Sequence, residues 1–132
     1  MKDDQRRIEE LKEMVGRFAA ERDWEQFHSP KNLAASLMIE AAELMELFQW
    51  CTVRDSYELL KKKDVRDRVG EELADIAAYL FEFCHLHHFD LSSLFEKKME
   101  QNHLKYPVNL VKGRADKYSA YSSLQEKKRG EK

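Results

Sequence analysis

The chain has 132 residues, of which 36% are charged, and a formal net charge of −2. That length bounds it to one domain large enough to bury a real core, and the near-cancellation of charge removes the electrostatic case for a nucleic-acid partner. The start MKDDQRRIEELKEM has no apolar h-region, no run approaches the ~20 apolar residues of a membrane span, and the two distant cysteines, Cys51 and Cys84, suit a reducing compartment, so the chain reads as soluble and cytoplasmic.

Apolar residues recur at spacings of three and four, which predicts an all-α, four-helix-bundle-type protein. The first helix is expected from about Asp4 to Asp23, with Ile8, Leu11, Val15 and Phe18 on one side and Gly16 as a weak point inside it. Ser29 and Pro30 open the second helix as N-cap and first helical residue, and the pattern carries it to about Cys51. Asp55-Ser-Tyr-Glu58 resembles a capping box before a short helix. Asp64 is placed as the cap of the third long helix, which ends near His87, and Asp90 as the cap of a fourth, from Leu91 to about Lys105, stopped by Pro107. This gives a helical domain over 1–112 and a polar tail over 113–132, ending in Lys127-Lys128-Arg129, that is frayed or draped over a neighbour.

The chemistry concentrates in two acidic pairs, Glu40-Ala-Ala-Glu43 and Glu72-Leu-Ala-Asp75. At about 100° per residue, Leu33, Leu37, Leu44 and Leu47 cluster around the direction of Glu40, and Val65, Val69, Ile76, Tyr79 and Phe83 around that of Glu72. A carboxylate on a buried stripe is costly without a partner. Residues three apart on a helix lie side by side, so each pair is a two-carboxylate claw, and two such helices packed antiparallel would gather four oxygen donors. An all-oxygen set favours Mg²⁺, with Mn²⁺ as the alternative, over zinc. Solvated acids on amphipathic helices are the bland alternative, which would need both helices misphased. Glu46 and Glu71 fall at the stripe's edge and read as surface groups or as supports behind the four ligands.

Other residues suit an anionic, ring-bearing ligand. Lys98 and Asn102 share the Leu91/Leu94/Phe95 stripe, with Lys105 and Tyr106 one turn on; Lys98 reads equally as an anion contact or a snorkelling surface cation. The segment Trp24-Glu-Gln-Phe27-His28-Ser-Pro-Lys31-Asn32 gathers aromatics, an imidazole, a cation and an amide in a loop. Phe27 is favoured as an apolar anchor, while Trp50 reads either as core or as a base platform. Di-iron bundles use Glu-x-x-His, and Glu82…His85 and Glu100…His103 have that spacing; both lie off the apolar stripes and read as surface pairs. His85, His87 and His88 read as a helix-end cluster favoured by the dipole. Apolar residues beyond one stripe, including Leu59, Leu60, Leu73, Leu80 and Leu86, predict a symmetric oligomer.

The strings DWEQFHSPKNLA, EAAELMELFQW, EELAD, KMEQNHLKYPV and GRADKY, in this order, resemble the MazG-like all-α nucleoside triphosphate pyrophosphohydrolases, and most closely their dCTP pyrophosphatase branch. The resemblance implies a helical bundle completed in a homodimer or homotetramer. It implies Mg²⁺-dependent hydrolysis of a (deoxy)nucleoside triphosphate, dCTP or a related or modified nucleotide, to the monophosphate and pyrophosphate. It assigns metal binding to Glu40, Glu43, Glu72 and Asp75; the chemistry of phosphoanhydride hydrolysis in turn calls for one carboxylate, Glu43 or Glu40, to orient or deprotonate the attacking water. It assigns nucleotide contacts to Trp24, His28, Asn32, Trp50, Lys98, Asn102 and Tyr106. The family's first acidic motif often begins with two adjacent glutamates, whereas Ile39 precedes Glu40 here. A non-catalytic helical protein that binds nucleotide or metal through the same residues is the alternative.

Overall fold

The computed structural model of the protein describes residues 2–122. Those residues form α1 (Ile8–Ala20), α2 (Pro30–Glu46), α3 (Val53–Leu59), α4 (Lys63–Leu86), α5 (Leu91–Lys105) and α6 (Val108–Val111), with single 3₁₀ turns at Asp3–Gln5 and Glu25–Phe27 and no strand among them. No helix in this part of the chain is long and apolar enough to cross a membrane. The chain divides into two compact units, one up to Phe89 and one from Asp90.

In the first unit α4 packs against both α1 and α2. Each helix start has a local cause. The Arg7 amide donates to the Glu10 carboxylate at 3.1 Å, and this bond is the main reason the Glu10 pKa lies below its ordinary value. Ser29 Oγ accepts from the Asn32 amide at 3.2 Å, with Pro30 at the first position, as the sequence predicts. Between these helices Asp23 takes a left-handed conformation, φ 54°, which ends the run of α1. Gln26 Nε2 then donates to the Asp23 carbonyl and carboxylate, and Asn32 Nδ2 donates to the Phe27 carbonyl at 2.8 Å, bracing the loop that carries His28.

Several boundaries differ from expectation. The helix of α2 stops at Glu46 and continues to Trp50 as turns. The short helix begins two residues ahead of Asp55: Thr52 is its N-cap, accepting from the Asp55 amide at 3.1 Å and donating to the Asp55 carboxylate at 2.6 Å. Asp55 is therefore the third residue of α3: the Thr52 hydroxyl, immediately ahead of Val53, caps the helix by accepting from the Asp55 amide. Likewise Lys62, not Asp64, is the N-cap of α4, and Asp64 sits in its first turn, where a negative charge suits the helix dipole.

Gly16 is buried, and a Cβ built on it would lie 2.3 Å from the His85 imidazole. The glycine is the notch that lets α1 approach α4. His85 is half-buried there, so it is a packing residue and not the surface residue its phase suggests. Ala19, Leu33 and Cys84 are the buried apolar residues of this unit, and both cysteines are free thiols. Burial raises the Cys84 pKa, keeping the thiol protonated and inert. The other two histidines end α4: His87 is its C-cap, with its ring edge-on to Phe83, and His88 is left-handed at φ 59°.

In the second unit Asp90 caps α5, accepting from the Ser93 amide at 3.0 Å, and α5 spans Leu91–Lys105 as predicted. The chain after Gly113 is not frayed as far as it is described. Gly113 turns at φ 76°, and Tyr121, 2% exposed, packs edge-on against Tyr106. The Tyr121 hydroxyl accepts from the Asp116 amide at 2.8 Å, and Tyr118 flanks Tyr106 from another side. Aromatic edges and one buried phenol bond outweigh the polar composition of that stretch. Lys127-Lys128-Arg129 lie outside the described residues.

Candidate functional site

Packing α2 on α4 aligns the two acidic pairs. One carboxylate oxygen from each of Glu40, Glu43 and Glu72 falls within a cluster 4.8 Å across. Asp75 is outside that cluster, yet close enough that its charge raises the pKa of both Glu40 and Glu72. The larger cause for each is desolvation, followed by repulsion from Glu43 and then Asp75; the weaker opposing influence on Glu72 is Arg68.

The acids are less enclosed than the hydrophobic phase implies. Glu40 and Glu72 are half-buried, while Glu43 and Asp75 are exposed. The α2–α4 seam opens toward solvent at this end, so the stripe direction locates the carboxylates correctly and overstates their burial. The donor set fits a hard divalent cation: all oxygen, converging from two helices, mutually repulsive, and open on one side for water and a further ligand. Glu46 and Glu71 are exposed, outside the cluster.

Beside the acids is a cavity of about 190 Å³ walled by Phe18, Trp24 and Tyr79, with Val15, Ala19 and Ala78 filling between them. Phe18 and Trp24 meet edge to face, centroids 5.8 Å apart. Asp75 also lines this cavity, as do His28 and Glu82. His28 Nδ1 lies 3.0 Å from Glu82 Oε1.

Glu82 is the residue that sequence reasoning missed. It is 1% exposed, not a surface acid. The reason is that α4 buries two faces, and only one follows the Val69/Ile76/Phe83 stripe. Counting back seven residues from Glu82 gives Asp75, nearly in phase, and Ala78 and Tyr79 lie between on the same face. The small residues Gly16 and Ala19 on α1 and Ala78 on α4 were the available signal for a second close helix contact.

Of the predicted nucleotide contacts, the first unit brings Trp24 and His28 to the cavity. Asn32 is one turn into α2, its amide engaged with the Phe27 carbonyl. Phe27 is 60% exposed and anchors nothing within the described residues, since the 3₁₀ turn points it outward. Trp50 is 91% exposed, so it is not core of this chain. Lys98, Asn102 and Tyr106 belong to α5 and its end in the second unit, where Lys98 is exposed and Asn102 and Tyr106 are half-buried.

Comparison with known proteins converges on one group. Residues 35–120 match the MazG-like family. The dCTP pyrophosphatase 1 of Rattus norvegicus is 40% identical over 112 residues, covering 85% of this chain and 66% of that protein. The Homo sapiens dCTP pyrophosphatase 1 is 38% identical over the same length. The chain thus spans 66% of the length of these relatives. A crystal structure of a pyrophosphatase from Archaeoglobus fulgidus, 39% identical, superposes with a TM-score of 0.70 over 75% of this chain and 91% of that one. Helical topology, paired acidic helices and sequence agree, and the chain belongs to the MazG-like family.

Proposed function

We propose that the protein hydrolyses a deoxynucleoside triphosphate, dCTP or a close or modified relative, to the monophosphate and pyrophosphate. The observation that carries this reading is the continuity of two chemistries. Glu40, Glu43 and Glu72 converge with Asp75 nearby, and Asp75 also lines a cavity with aromatic walls. A triphosphate needs charge compensation at one end and a flat apolar slot at the other. The named activities of the dCTP pyrophosphatase and pyrophosphatase relatives point the same way.

Glu40, Glu43, Glu72 and Asp75 would hold Mg²⁺. When bound, that ion neutralises phosphate charge and makes a coordinated water more acidic. The protein's own part is positional. Its half-buried acids are disposed to accept a cation because ionisation without one is resisted by desolvation and by their neighbours. Glu43 or Glu40 is proposed to orient the attacking water and accept its proton, with pyrophosphate leaving in line. Trp24 and His28 are proposed to meet the base. Asn32, Trp50, Lys98, Asn102 and Tyr106 are retained as proposed nucleotide contacts, with Lys98 directed to phosphate.

Self-association is part of the proposal. Ala41, Leu44, Met45, Phe48, Leu60, Val69 and Leu73 line an open apolar groove of about 440 Å³. Met45 is 59% and Leu73 52% exposed beside it, an expensive surface to leave in water. A second copy covering this groove gives a homodimer, and repetition a homotetramer.

The deciding experiment is incubation of the protein with dCTP and Mg²⁺, followed by quantification of pyrophosphate and dCMP. Stoichiometric dCMP and pyrophosphate, abolished by chelation, is the expected result. Binding without turnover would replace the hydrolase reading with a nucleotide-binding one. Light scattering showing a fully active monomer at micromolar concentration would remove the self-association.

A further inference from the structure

Glu82 is buried, carries one bonded oxygen and one orphan, and lines the aromatic cavity. Oε1 lies 3.0 Å from His28 Nδ1, within hydrogen-bond distance. Oε2 is buried with no hydrogen-bond partner among the described residues. A buried acceptor left without a donor carries a desolvation cost, and such groups usually await a ligand or water. We infer that Glu82 is a specificity-determining residue, whose free oxygen accepts a hydrogen bond from the exocyclic amino group of the base. This rests on the proposed triphosphate hydrolysis and goes beyond it by naming the atom that separates cytosine from uracil and thymine.

The surroundings favour a base over other ligands. Phe18, Trp24 and Tyr79 provide flat walls, and about 190 Å³ suits a single ring system. The cavity lining contains two carboxylates, Asp75 and Glu82, and neither lysine nor arginine, so it repels phosphate. A base entering with its amino edge toward Glu82 leaves its ribose and phosphates on the side of Asp75 and the acidic cluster. Cytosine presents N4–H donors there. Uracil and thymine present O4, an acceptor with no N–H to offer a carboxylate oxygen. A site built around a buried acceptor rejects the analogue lacking the donor strongly, by up to about 10⁴–10⁵ in favourable cases.

His28 has a positioning part. Its bond fixes Oε1 and thereby commits Oε2 to the ligand. In Glu82→Gln the amide oxygen can keep the His28 bond, which turns the amide NH₂ into the place of Oε2. The acceptor becomes a donor, which complements O4 and not N4.

The test is kcat/KM and Kd for dCTP, dUTP and the triphosphate of pyrimidin-2-one deoxyriboside, which lacks the amino group, on the wild-type protein and on Glu82→Gln. The wild type is expected to favour dCTP over both others by roughly 100-fold or more, and the variant to shrink the dCTP/dUTP ratio by at least about tenfold. A purely structural role for Glu82 would lower all substrates together. A wild type that handles dCTP and the pyrimidin-2-one analogue within about threefold overturns the inference even if the variant fails to fold. Equal scaling of dCTP and dUTP in a folded variant also overturns it. Absence of turnover on every triphosphate counts against the hydrolase reading, and the Kd series then decides the role of Glu82 by itself.

Discussion

Glu72 and Glu82 lie on one helix and meet opposite fates. Glu72 faces α2, where every nearby side chain of the cluster is another acid, and its pKa is raised by desolvation and by that company. Glu82 faces α1 and the loop before α2, where it finds His28 at 3.0 Å and is sealed at 1% exposure. Like charges gathered at a half-open seam form an all-oxygen donor set that suits a hard cation from solution. A sealed carboxylate with one paired oxygen predicts a fixed direction for the other. In the function proposed above, both faces of α4 serve the site, one by accumulating charge and the other by orienting it.

The sharpest way to break this contrast is to neutralise one acid on the crowded face. Glu72→Gln keeps the shape and removes a negative donor. Turnover of dCTP at limiting Mg²⁺ should fall by about 100-fold or more, since even groups outside the coordination sphere of a metal site cost up to that much. Stability without metal should stay level or rise, because repulsion from Glu43 and Asp75 is relieved. Wild-type rates in limiting Mg²⁺ would show that the acids on this face hold no catalytic cation.

A smaller effect follows from pH. Glu40 and Glu72 are held above the ordinary carboxylate value of 4.5. The folded protein then binds more protons than the unfolded chain over that window. The stability associated with these two groups is fully present below 4.5 and is lost as pH rises through their raised values. Mg²⁺ competes with those protons, so the rise in Tm that it gives should grow across the same window and level off above it. Thermal melts of wild type and Glu72→Gln with chelator or Mg²⁺, between about pH 4 and about pH 8, isolate the effect from the other carboxylates. An Mg²⁺ increment that shrinks as pH rises would contradict the assignment.

The face toward α2 was legible in the sequence because it is the dominant stripe. A single 3.6-residue period places Glu40 among leucines and Glu72 among Val65, Val69 and Ile76, and the structure brings both to one cluster. The face toward α1 was not legible by the same logic. Its markers are small residues, which carry no hydropathy signal, and a polar pair, His28 and Glu82, far apart in sequence and joined only by packing. The Thr52 cap was hidden by a stronger-looking Asp55-to-Glu58 match about one helical turn further on. Tyr121 was hidden by the polar residues around it, because one buried phenol is enough to fold back a short stretch.

Two glycines sharpen the comparison at the scale of a single methyl group. Gly70 is in α4, exposed, with nothing within 4 Å of a built Cβ. Gly70→Ala should stabilise the protein by roughly 0.5–1 kcal/mol, the helix-interior gain of alanine over glycine. Gly16 offers the same gain on α1, but its Cβ would stand 2.3 Å from the His85 ring. Overpacking of a close contact costs about 1–3 kcal/mol, so the net effect of Gly16→Ala should be a loss of up to about 2 kcal/mol. His85 lies one turn beyond Glu82 on α4, so a shift of α1 there also widens the cavity that holds the His28–Glu82 pair. Urea denaturation of the two variants gives the stability signs directly, and the dCTP/dUTP ratio of Gly16→Ala reports on the cavity. If both glycines behave alike, the His85 ring swings aside at little cost, and the close approach of α1 to α4 does not depend on the notch at Gly16.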